Sequence, residues 1–165
     1  MLEKNEKKLK KIYFDAHFHW NFANFSKDFC KNSTQNDDFS IYGCSCAHSV
    51  EEWNFQITEN LKLQEKSMHK NLCSFGIHPQ QVTNESFSAQ IDFLQNLISN
   101  NKIDAIGEIG FDFFSDNFKQ FAFQQDELFN IQLEMAIKNQ LPIVVHCRKA
   151  NEKLFEYKKQ LKKVP

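Results

Sequence analysis

Short apolar runs alternate along this chain with longer segments in which apolar residues recur at helical spacing, the rhythm of repeated βα units around a mainly parallel sheet. The runs predict five strands, over 13–19, 40–46, 72–77, 104–110 and 142–147. Between them, 51–70 reads as a polar, weakly amphipathic helix, and 86–100 sets Ile91, Leu94, Leu97 and Ile98 along one stripe. The longest helical pattern, 116–140, carries Phe121, Leu128, Ile131 and Met135 and closes at Leu141-Pro142. A basic helix over 150–163 follows, with Leu154, Phe155 and Leu161 as its apolar residues. Segment 21–38, rich in Asn, Ser and Asp, reads as a loop after the first strand. All four glycines (Gly43, Gly76, Gly107 and Gly110) fall in or beside predicted strands, where a missing side chain often lets another group approach.

Composition narrows the function classes. With 165 residues, 41% hydrophobic, 25% charged and a net charge of −1, the sequence is that of one globular domain and not of a strongly basic nucleic-acid binder. Residues 1–11 form a charged segment with no apolar stretch, so neither a signal peptide nor an anchor is expected there. No run approaches the roughly 18 apolar residues of a membrane-spanning helix. Five Cys, an odd number without a C-x-x-C pair, point to a reducing, cytoplasmic setting. Lys and Arg together number 20, and only Arg148 is Arg.

The chemistry-bearing residues gather at strand ends. In Asp15-Ala16-His17-Phe18-His19-Trp20 the period of two puts Asp15, His17 and His19 on one face, where two imidazoles can bind a divalent ion and the carboxylate can bind it or orient them. Two unrelated surface histidines are the alternative. Glu108 lies in an apolar run between two glycines; a Glu in that position needs a cation or metal beside it, or a salt bridge at the sheet end. In Pro142-Ile143-Val144-Val145-His146-Cys147-Arg148, four apolar residues run into His146 and Arg148, which share a face. His146 as a satisfied core histidine and Arg148 as a surface charge remain the bland reading. Pro79 ends the third strand and leaves His78 at its rim. The carboxyl ends of parallel strands are where α/β barrels keep their active sites. Cys44 and Cys46 read as buried strand cysteines, and His48 and His69 as loop or helix-surface residues.

Taken together, Asp15-x-His17-x-His19, Gly76-x-His78-Pro79, Gly107-Glu108-Ile109-Gly110-x-Asp112 and Leu141-Pro142-Ile143-Val144-Val145-His146-Cys147-Arg148 resemble, in order and spacing, the TatD family of metal-dependent deoxyribonucleases within the amidohydrolase-like barrels. The resemblance implies that His17 and His19 bind one divalent ion, that Glu108 serves both of two ions (Zn, Mn or Mg), and that His146 binds the second. It further implies that His78 and Arg148 contact or orient the scissile phosphate of a DNA substrate, and that Asp15 and Asp112 are supporting carboxylates. Glu108, His78 and Arg148 are the residues expected to act in catalysis.

The fold implied is an incomplete TIM-type (β/α) barrel, with about five parallel βα units of the eight expected, over residues 12–165. A complete barrel of this type takes roughly 250 residues. The family pattern continues with another His and a T-D-x-P-like Asp, and no His follows His146 here. The C-terminal strands are therefore expected to be missing, with self-association through open sheet edges. A catalytically inactive fragment or partner-dependent half-barrel is the alternative function. A small-molecule amidohydrolase is another, but many of those bridge their metals with a modified lysine on the fourth strand, where this chain has Glu108.

Overall fold

The computed structural model describes residues 11–20, 39–66, 71–83 and 87–165. Predicted loop 21–38, the segment 1–10 and His69 lie outside the described residues. Five strands, β1 (Lys11–Phe18), β2 (Phe39–Ala47), β3 (Leu72–Phe75), β4 (Ala105–Asp112) and β5 (Ile143–Arg148), form one sheet in the order β1-β2-β3-β4-β5. Every pairing is parallel. Helices follow strands as the βα rhythm requires: α1 (Val50–Lys66), α2 (Phe87–Ser99), α3 (Asp116–Lys119), α4 (Ala122–Asn139), α5 (Asn151–Glu156) and α6 (Lys158–Leu161). A 3₁₀ turn, Pro79–Gln81, comes after β3. The architecture is the expected α/β one, five parallel strands of a TIM-type barrel, with helices after β2, β3, β4 and β5 among the described residues. No helix among the described residues is long and apolar enough to cross a membrane.

The core lies between the sheet and α1, α2 and α4. Phe75, Ile106, Ile109 and Phe111 of the sheet, with Ile77 just past β3, meet Leu94 of α2 and Leu128, Phe129 and Leu133 of α4, all fully buried. Removal of such aliphatic and aromatic surface from water, about 1.5–3 kcal/mol per large side chain, drives the docking of the helices. Tyr157, at the junction of α5 and α6, closes this core with its ring 4.8 Å from that of Phe129 and its hydroxyl donating to Asp126 at 2.7 Å.

The predicted helix over 116–140 is two helices, because at Gln120 and Phe121 the chain turns before α4 begins. The buried face of α4 also differs from the predicted stripe. Ile131 is exposed, whereas Gln125 and Gln132 are buried. Each glutamine closes a pair of hydrogen bonds with one main-chain residue just at or past a strand end. Ile77 N–H donates to Gln132 Oε1 at 2.7 Å, and Gln132 Nε2 donates back to Ile77 O at 3.1 Å. Asp112 N–H donates to Gln125 Oε1 at 2.8 Å, and Gln125 Nε2 donates to Asp112 O at 3.2 Å. Buried peptide groups must find partners, and these two side chains supply them where the ladder has ended. In the last segment, likewise, Phe155 is exposed and Tyr157 takes the buried position.

Two bulges interrupt the ladders. On β4, Gly107 faces Val144 and Ile109 faces Val145, so Glu108 is the extra residue. On β1, Asp15 faces Gly43 and Phe18 faces Ser45, so one residue is inserted between them. A bulge changes which side chains share a face. Gly76 and Gly110 meet the close approach that the sequence suggested: a Cβ at Gly76 would lie 2.8 Å from Gly107 Cα, and one at Gly110, where φ is 146°, would collide with the carbonyl oxygen of His146.

Gln132→Leu keeps the size and apolar packing of the side chain but strands the Ile77 N–H and C=O. It should cost about 2–4 kcal/mol, read as a lower midpoint in urea unfolding, because each buried orphan costs about 1–3 kcal/mol.

Candidate metal centre

The strands deliver their polar residues to one rim. His17, His19, His48, His78, Glu108 and His146 line a recess of about 430 Å³, completed by Gln80 and Gln81. Five of the six histidines in the sequence are thus in one place. Glu108, turned out of the ladder by its bulge, is their focus: Oε2 lies 3.1 Å from His17 Nε2 and 3.6 Å from His48 Nε2, and Oε1 lies 2.9 Å from His146 Nδ1. Burial works against the Glu108 charge. The hydrogen bond from His146 and the nearness of His48 and His17 outweigh it and hold the carboxyl well below its ordinary range.

Hydrogen-bond partners fix which ring nitrogens carry protons. His19 Nδ1 lies 2.9 Å from Cys46 O, which can only accept, so Nδ1 is protonated and Nε2 keeps a lone pair. That Nε2 sits 3.1 Å from His17 Nε2. Burial, with His48 and His17 nearby, lowers the His19 pKa and favours this neutral ring. An imidazole anchored to a backbone carbonyl through one nitrogen is the usual metal-ready arrangement.

His78 has the opposite polarity. Its Nδ1 accepts from Gln80 N–H at 3.2 Å, so the neutral ring carries its proton on Nε2, which points at His146 Nδ1 3.1 Å away. Burial, then the neighbouring His146 and His48, push its pKa down to about 3. His78 is therefore a neutral N–H donor facing into the recess.

On the other side of His146, Nε2 is 3.2 Å from Asp112 Oδ2. Asp112 is fully buried and also accepts from Gln80 Nε2 at 2.7 Å and Phe114 N–H at 2.9 Å. Burial opposes its charge, yet these bonds hold its pKa below the ordinary value. Burial also disfavours a charged His146, but Glu108 and Asp112 together raise its pKa.

Two expected residues stand apart from the recess. Asp15 does not share the face of His19, because the β1 bulge shifts the alternation; instead its Oδ1 accepts from His17 N–H at 3.2 Å. Arg148 stacks its guanidinium 3.6 Å above the ring of Phe114, itself half-exposed, beside Lys149. His48, read from the sequence as a surface residue, is the addition. Its signal was present in Ser49-x-x-Glu52: Glu52 N–H donates to Ser49 Oγ at 3.2 Å, a helix-start pattern that fixes α1 directly behind β2 and leaves His48 at a strand's carboxyl end.

Four donors about 2.0–2.1 Å from one ion in a tetrahedral array stand about 3.3 Å apart. The separations of 3.1 Å between His19 and His17 and of 3.1 Å between His17 and Glu108 match that spacing, and His48 stands 3.6 Å from Glu108 on another side. Three groups of donors within 4.8 Å of one another occur among the described residues: His17-His19-Glu108, His78-Glu108-His146 and His19-His48-Glu52.

Comparison with known proteins agrees with this picture. The family model described as TatD related DNase matches residues 14–165. An uncharacterized metal-dependent hydrolase of Mycoplasma pneumoniae is 31% identical over 153 residues, 91% of this chain and 56% of the relative. The 3′-5′ ssDNA/RNA exonuclease TatD of Erwinia amylovora is 37% identical over 89 residues, 53% of this chain and 33% of the relative. Among solved structures, YjjV, a TatD homologue from Escherichia coli K12, superposes with a TM-score of 0.68 at 29% identity, covering 90% of this chain and 56% of that one. The chain thus spans little more than half the length of relatives that it matches nearly end to end.

The His78 assignment has a direct readout. In protein kept metal-free by chelator, nitrogen NMR should show a neutral ring protonated at Nε2 from neutral pH down to about pH 4, given the pKa of about 3. Because that value lies below the ordinary 6.5, the unfolded chain takes up the proton first. The contribution of His78 to stability is thus whole above pH about 6.5 and is lost as pH falls toward about 3, and His78→Gln should flatten that part of the stability profile.

Proposed function

We propose a function for this chain from the premise that it belongs to the TatD-related DNase family: it is the metal-binding part of a divalent-metal-dependent phosphodiester hydrolase acting on nucleic acid, with DNA as substrate. The observation that carries this reading is the convergence of three imidazoles, those of His17, His48 and His146, on the one carboxylate of Glu108, with His19 and His78 beside them. The residues present fit the metals that the family implies. His17 and His19 would hold one ion, His146 the second, and Glu108 both. When bound, such ions supply Lewis-acid stabilisation of phosphate charge and acidify a water.

The chain's own residues do the rest. Cys46 O holds the His19 ring in its ligating tautomer, and Asp15 steadies the backbone of His17. Asp112 orients His146 from behind. His78 offers a neutral N–H to a phosphate oxygen, which costs no proton uptake near pH 7. Arg148, held flat on Phe114 at the rim, supplies a guanidinium to a neighbouring phosphate. This division of labour needs no basic surface, in keeping with a net charge of −1.

A second reading is favoured by the edges of the sheet. Among the described residues β1 and β5 each have one ladder neighbour, Phe14 on β1 is 58% exposed, and β5 is only partly buried along its length. Residues 12–165 would then be a half-barrel that binds metal but acts only when these edges are covered, and that self-associates alone.

The test is to purify the 165-residue chain, measure bound metal, and assay single- and double-stranded DNA with and without chelator. We expect retained divalent metal, cleavage abolished by chelator, and at least tenfold weaker metal binding in Glu108→Gln. Metal without turnover, accompanied by oligomers on size exclusion, would select the half-barrel. Neither metal nor turnover would sink both readings.

A further inference from the structure

A second recess, of about 540 Å³, opens between the segment that follows β4 and the one that follows β5, with Phe113, Lys119, Lys149 and Lys153 in its lining. Lys149 joins it to the platform at the rim: its Nζ lies 4.7 Å from the centroid of the Phe114 ring, and the guanidinium carbon of Arg148 lies 3.6 Å from the same point. Main-chain hydrogen bonds tie that platform to the metal centre. Phe113 N–H donates to Arg148 O at 2.8 Å, and Phe114 N–H donates at 2.9 Å to Asp112, the carboxylate that also faces His146.

The charges here are unspent. Arg148, Lys149 and Lys119 are exposed, and none has an ion pair among the described residues. Lys153 differs, being held at 2.7 Å by both Asp126 and Glu156. Of the carboxylates lining the recess, Glu156 is thereby neutralised and Glu152 alone is left unpaired among the described residues. A chain of net charge −1 thus keeps a local surplus of positive charge beside its metal centre. Lys149 is placed at some steric disadvantage, since its φ of 55° lies in the left-handed region where Gly is free and Lys is uncommon. The backbone favours Gly at this position, and the ammonium is what Lys adds.

We propose that Arg148, Lys149 and Lys119, with Phe114 as the positioning residue for the guanidinium, form a phosphate track that leads one nucleic-acid strand from the metal centre into this recess. The track deepens the nucleic-acid reading above and rests on it. Size and chemistry select a single strand. The recess has the volume of a small-ligand cleft, and a guanidinium plane backed by an aromatic ring is a surface on which an unpaired base stacks.

The test follows binding of a fluorescein-labelled oligothymidylate by anisotropy across a salt series, with chelator present so that neither bound metal nor cleavage contributes. We expect Lys149→Gly and Lys119→Gln each to weaken binding by about threefold or more and to flatten the slope of log affinity against log salt by about 0.7, the value for one phosphate contact on a single strand. Lys149→Gly should not lower the thermal midpoint, which separates loss of the ammonium from loss of the fold. Phe114→Ala removes no charge, so it should weaken binding with the slope unchanged, and Phe114→Trp should restore it. Lys138→Gln, in the last turn of α4, is the control and should change nothing. Equal loss in that control, equal affinity in every variant, tighter binding of a duplex of the same length, or no binding by the parent chain would overturn the track and leave the metal centre standing. A chain that binds the oligonucleotide through these residues but retains no metal would uphold the track and sink the metal-centre reading instead.

Discussion

The constraint on which the rim depends is the packing of one carboxylate, Glu108, among imidazoles whose ring nitrogens also face one another. Glu108 is largely shielded from water, with three ring nitrogens within 3.6 Å and two more rings just behind. His19 must present a lone pair to His17, and His146 Nδ1 faces both an acceptor, Glu108 Oε1, and a donor, His78 Nε2. No single set of neutral tautomers satisfies all of these contacts. A proton on one ring relieves part of the conflict, and a divalent cation relieves more of it. The rest of the rim is arranged around that requirement.

Holding such a cluster together demands a frame that does not yield. The bulge at Glu108 takes the side chain out of the ladder, and the glycines beside it let β3, β4 and β5 pack where side chains would collide. The two glutamines of α4 finish the hydrogen bonding at Ile77, which precedes His78, and at Asp112, which bonds to His146 and Gln80 of the recess. Ser49 and Glu52 do the same for the turn that bears His48. Apolar burial supplies the stability of the frame, while buried amides and caps set where the site residues stand.

The strands and their order were legible because buried parallel strands read as short apolar runs, and His19, His78, Glu108 and His146 were legible as breaks at the ends of those runs. Asp15 was misplaced because strict alternation assumes an unbroken ladder, and a bulge is a tertiary event with no residue signature of its own. Gln125 and Gln132 could not be read as buried, since hydropathy ranks them with surface residues and only the unpaired strand ends explain them. The break at Gln120 has the same origin: α3 and α4 are separate because the chain must turn back over the sheet, and no Pro or Gly marks the turn. His48 was hidden by its lone position, although the cap at Ser49 located it.

The two glutamine clamps sit seven residues apart on one helix, two turns and therefore nearly the same face. Each grips both the N–H and the C=O of a single residue. Sliding α4 by one residue would turn its surface by about 100° and release both clamps together, so the docking of this helix has one register with no near neighbour. An insertion or deletion between Gln125 and Gln132 would therefore not be absorbed as a shift but would misplace His78 or Asp112 outright. This short stretch of helix, remote from the recess in sequence and carrying none of its chemistry, should be among the least tolerant of length change in the molecule.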